Sequence, residues 1–79
     1  MSIINSIECD GPRTKRAHPS VAHRCEAYIV NCGDGNRYVE VNSYGSADRE
    51  APGQASQQMQ FTEQAARALR KLIDEAFPE

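Results

Sequence analysis

The sequence predicts a small α+β fold: an antiparallel β-sheet of three to four strands, built on a central hairpin and packed against one C-terminal amphipathic helix. Three observations predict it. Two β-rich runs, 26–32 and 37–44, flank the turn sequence Gly33-Asp34-Gly35-Asn36. One stretch of helical periodicity begins at Thr62 and is stopped by Pro78. The length, 79 residues, admits a single domain over 1–79 with a thin core, one sheet face against one helix.

The elements follow in order. Ile3, Ile7 and Cys9 share a parity with Asn5 between them, which predicts a first strand over 3–9. Residues 10–24 form a basic loop. Gly11-Pro12 and His18-Pro19 turn the backbone away from helix, and Arg13, Lys15, Arg16 and Arg24 stand against Asp10 alone.

In the hairpin, Asp34-Gly35 suits a two-residue type I′ turn. That turn sets Cys32 opposite Arg37, Val30 opposite Val39 and Tyr28 opposite Val41. Opposed residues share a face, so Tyr28, Val30, Cys32, Val39 and Val41 are expected under the helix. Ala27, Ile29, Asn31, Tyr38, Glu40 and Asn42 fall on the other face, and Tyr44 joins them.

Residues 45–56, rich in Gly, Pro and Ser, predict a flexible connection. Met59 and Phe61 alternate with glutamines in a short strand over 57–61. The helix spans 62–77. Thr62 caps it, Glu63 suits the positive end of its dipole, and Ala65, Leu69, Leu72, Ile73 and Ala76 form the buried stripe. Glu63 with Arg67 and Lys71 with Glu75 are spaced for solvated i,i+4 pairs.

Composition narrows the function. The formal net charge is -2 and the pI near 5.6, so the chain has no global attraction for nucleic acid or anionic membrane. No apolar run approaches the roughly 20 residues of a membrane span. No secretory leader opens the sequence, and an odd count of three cysteines suits reduced thiols, which together predict a cytoplasmic protein.

Cys9, His18, His23 and Cys25, with Cys32 beyond, are zinc-ligand types. They lack a Cys-x-x-Cys knuckle, so Cys9 and Cys32 as small core residues, with the histidines on the surface, are the better reading. A small zinc-stabilised module touching nucleic acid stays as the alternative. His23 beside Cys25 offers a nucleophile and base, but no orienting third group or oxyanion donor can be named, and no enzyme and no cofactor are expected.

The basic loop could meet phosphates, yet it has no stacking aromatic and the domain is acidic, so direct nucleic-acid binding is disfavoured. A tyrosine-bearing sheet face in a polar surround matches the composition of protein interfaces. A free edge strand is also the natural contact of a homodimer.

Three short segments carry a family resemblance: Cys9-Asp10-Gly11-Pro12, the hairpin around Asp34-Gly35, and the ending Phe61-Thr62-Glu63-Gln64-Ala65-Ala66-Arg67-Ala68-Leu69. With its size and acidity, the chain resembles the small α+β accessory proteins of phages and prophages, anti-CRISPR and other anti-defence inhibitors among them. The resemblance implies a non-catalytic inhibitor that docks on a larger host protein or complex and blocks it sterically. The residues expected to bind the partner are Arg13, Lys15, Arg16, Arg24, Tyr38 and Tyr44.

Overall fold

The computed structural model describes residues 1–22, 24–44 and 55–79. Four strands, β1 (Ser2–Ile4), β2 (Arg24–Asn31), β3 (Arg37–Tyr44) and β4 (Ala55–Phe61), precede one helix, α1 (Glu63–Ala76). The strand order is β1-β4-β3-β2, which leaves β1 and β2 at the edges.

The β2–β3 hairpin and the β3–β4 pair are antiparallel, whereas β1 runs parallel to β4. The sheet is therefore mixed, a correction to the antiparallel expectation. The first strand is also shorter than the predicted 3–9. After Ile4 the chain leaves the sheet and crosses beside the helix, where the Cys9 thiol donates to the Ala68 carbonyl at 3.8 Å. At the other edge, β2 begins at Arg24, so that arginine belongs to the strand and not to the loop before it. The expected connection over 45–56 lies outside the described residues except for its last two, which already belong to β4.

The hairpin register departs from expectation by one residue. Val30 lies opposite Tyr38, Ile29 opposite Val39, and Tyr28 opposite Glu40. The cause is the loop. The Gly35 amide donates to the Cys32 carbonyl at 3.1 Å and the Cys32 amide to the Asn36 carbonyl at 2.9 Å, which closes three residues between the strands rather than two. Gly35 alone has a positive φ, +93°, among the described residues. This is the type I turn followed by a left-handed glycine, the usual three-residue hairpin connection. A type I′ turn would need Asp34 at positive φ as well. Asp34 instead accepts from the Asn36 amide at 3.0 Å through its carboxylate.

A one-residue slip exchanges the faces of a whole strand. The faces expected for β3 hold, but those of β2 are reversed. Ala27 and Ile29 join Val39, Val41, Met59, Phe61 and Ile4 on one face, and Tyr28 and Val30 go to the other. The apolar face carries the helix. Phe61 and Ala65 are buried there, with Leu69 and Leu72 half-buried along the helix.

The helix starts where the sequence predicts. The Thr62 hydroxyl accepts from the Ala65 amide at 3.3 Å and donates to the Asn5 carbonyl at 3.0 Å, so one side chain caps α1 and ties it to the exit of β1. Glu63 and Arg67 pair at 2.8 Å, whereas Lys71 and Glu75 form no ion pair among the described residues. No described helix is long and apolar enough to cross a membrane.

Candidate protein-docking face

The helix-free face of the sheet is built by alternation. Arg24, Glu26, Tyr28 and Val30 of β2 lie beside Tyr44, Asn42, Glu40 and Tyr38 of β3, and Gln58 and Gln60 of β4 continue the surface. All three tyrosines of the chain therefore share this face.

Two carboxylates organise it. Glu40 is only 6% exposed and Asn42 only 3%, although both point away from the helix. Glu40 accepts from the Tyr28 hydroxyl at 2.6 Å, from Asn42 Nδ2 at 2.9 Å and from Gln60 Nε2 at 2.8 Å. Asn42 Nδ2 also donates to the Tyr28 oxygen at 3.1 Å. Glu26 accepts from the Tyr44 hydroxyl at 2.7 Å, and the Arg24 guanidinium lies 4.2 Å above the Tyr44 ring, a cation–π contact. Asn42 Oδ1 is buried without a hydrogen-bond partner among the described residues, which leaves the network one donor short.

Titration follows from these bonds. The Tyr28 hydroxyl, then Gln60 and Asn42, stabilise the Glu40 carboxylate and hold its pKa below the ordinary glutamate value, against the opposing effect of burial. Donation to Glu40 raises the Tyr28 pKa, and donation to Glu26 raises that of Tyr44. The result is an ionised Glu40 carboxylate beside the neutral phenols of Tyr28 and Tyr44, an arrangement suited to holding aromatic rings in place.

The expected partner residues divide. Tyr38 and Tyr44 lie on this face, half-buried and buried respectively, and Arg24 joins them at the start of β2. Arg13, Lys15 and Arg16 are exposed in the segment before β2, with Arg13 bound to Asp10 at 2.7 Å. Ile29, expected on this face, sits on the helix side because of the register.

The alternative zinc set is not assembled by its described members. Cys9 bonds to Ala68, His18 Nδ1 accepts from the Ser20 amide at 3.1 Å, and Cys25 lies on the helix side of β2, while His23 falls outside the described residues. Among the described residues no three His, Cys, Asp or Glu side chains gather as metal ligands. Cys9 is exposed and Cys32 half-exposed, so neither is the core residue expected, and Cys25 is exposed as well.

Sequence reasoning missed Tyr28, Glu26 and Gln60. A signal for the first two was present. The charged members of β2, Arg24 and Glu26, share a parity, as do Glu40 and Asn42 of β3, and joining these faces selects the observed register.

Compared with known proteins, the chain matches no family model, no curated protein and no solved structure.

Proposed function

We propose that this chain is a non-catalytic protein-binding domain that docks through the helix-free face of its sheet. The observation that carries the proposal is the gathering of every tyrosine, with Arg24, over a buried carboxylate and amide network. Tyr and Arg are the residues that concentrate binding energy at interfaces. A ring whose hydroxyl is already hydrogen-bonded loses little freedom on binding, so preorganisation favours affinity.

Tyr28, exposed, and Tyr38, half-exposed, supply the contact surface. Arg13, Lys15 and Arg16, on the exposed segment that leads into β2, supply a basic rim for an acidic patch on the partner. A domain of this size acts by covering part of a larger protein. The resemblance to phage-borne anti-defence inhibitors makes a bacterial defence complex the first partner to try.

Site-specific photo-crosslinking in host lysate tests the reading. A crosslinker at position 28 or 38 is expected to capture a defined protein that one at position 64, on the exposed side of α1, does not. Capture is expected to fall when Tyr38→Ala is introduced or when Arg13, Lys15 and Arg16 are reversed in charge. Capture that ignores the crosslinker's position and survives all these changes would sink the proposal.

A further inference from the structure

We propose that the chain pairs with a second copy of itself through one flank of α1 and the groove beside it, on the side opposite the tyrosine face. The helix rests mainly on β3 and β4. Ile29 of β2 is left 58% exposed, a large apolar side chain on the helix side of the sheet. Between it and the helix lies a groove of about 680 Å³ with Ile29, Val39, Phe61 and Ala66 along it. Its walls carry Arg37, Arg67 and Arg70. Arg67 is paired with Glu63, but Arg37 and Arg70 have no ion-pair partner among the described residues.

The complementary piece is at the other end of the same helix. Ile73 is 48% exposed and Phe77, the C-cap, is 77% exposed. At about 100° per residue, Ile73 lies within roughly 20° of Ala66 around the helix, and Phe77 follows Ile73 by one turn. The apolar end and the groove therefore lie on one flank, about 16 Å apart at 1.5 Å per residue.

The charges are opposite too. Asp74 and Glu75 occupy the last turn and Glu79 follows, with no basic residue in that turn. Carboxylates at the negative end of a helix dipole are unfavourable unless a cation approaches.

A two-fold axis near the middle of α1 sets two such helices antiparallel. Phe77 and Ile73 of each copy then enter the groove of the other, and Asp74 and Glu79 approach the other's Arg37 and Arg70. Each contact occurs twice and the pair closes on itself. Both tyrosine faces stay free, so the dimer presents two docking surfaces.

Sedimentation equilibrium over a dilution series tests the pairing. The wild-type mass is expected to rise from 8.8 kDa to twice that value with concentration. Phe77→Asp, at a position 77% exposed, with circular dichroism confirming the fold, is expected to move the midpoint about tenfold or more toward higher concentration.

A charge exchange gives the sharper result. One variant carries Arg37→Glu and Arg70→Glu, the other Asp74→Arg and Glu79→Arg. Each alone is expected to stay monomeric and their mixture to form a heterodimer, because mixing restores every opposite-charge contact. A wild-type chain that stays at 8.8 kDa overturns the proposal. So does a dimer indifferent to Phe77→Asp, or a mixture that remains monomeric.

Discussion

Replacing Gly35 by alanine tests the hairpin that sets both faces of the sheet. Gly35 sits at φ +93°, and a β-carbon placed there would meet nothing within 4 Å. The penalty is therefore backbone strain alone, about 1–2 kcal/mol for an L-residue held in the left-handed region. In a domain of this length about 1 kcal/mol moves Tm by roughly 4–8 °C, so Gly35→Ala is expected to lower Tm by about 5–15 °C.

Gly33 is the internal control. Its surroundings are equally open, but its φ lies outside the left-handed region. Gly33→Ala is expected to be neutral or to raise stability by up to about 1 kcal/mol, through lost freedom in the unfolded chain. Thermal unfolding followed by circular dichroism measures both. Equal effects of the two substitutions, or a larger loss at Gly33, would refute the three-residue loop and the register built on it.

Three further predictions concern the core, the cap and the polar network. Phe61→Ala should cost about 3–5 kcal/mol, much of the total stability of about 4–12 kcal/mol for a chain of this length; urea titration should find it largely unfolded. Thr62→Ala removes the helix cap and the tie to Asn5 and should cost about 0.5–2 kcal/mol, seen as an earlier urea midpoint with an unchanged slope. For the network, the folded-state pKa of Glu40 lies below the ordinary 4.5, so its stabilising contribution is present above that value and lost as pH falls through the folded pKa. Tyr28 and Tyr44 are raised above the ordinary 10.0, so their contribution is present below that value and lost as pH rises through their folded pKa values. Tyr28→Phe should bring the Glu40 pKa back toward its ordinary value, which carboxyl-carbon NMR titration reads directly.

The sequence made legible what rests on local pattern. The parity of β3 placed Val39 and Val41 under the helix and Tyr38, Glu40, Asn42 and Tyr44 on the other face, and the structure agrees. Thr62, the stripe from Ala65 and the stop at Pro78 located α1 to within a residue at each end.

What failed depended on choices that local pattern leaves open. Asp34-Gly35 fits a two-residue loop, and the same glycine also serves a three-residue loop that begins at Gly33. Choosing the first reversed β2 and hid the bonds from Tyr28 to Glu40 and from Tyr44 to Glu26, which need partners from two strands. The parallel pairing of β1 with β4 joins residues at opposite ends of the sequence, and three residues of strand carry no pattern that names a distant partner. Arg24 read as part of the basic run because its role, lying on Tyr44, exists only once β2 and β3 are paired.

Cross-strand NMR contacts in the hairpin test the central claim most directly, because the face that gathers the tyrosines exists only in one register. Close α-proton contacts are expected between Ile29 and Val39 and between Ala27 and Val41, the pairs that lie between the hydrogen-bonded ones. Close contacts between the α-protons of Val30 and Val39 and of Tyr28 and Val41 in their place would put Tyr28 under the helix and contradict the account.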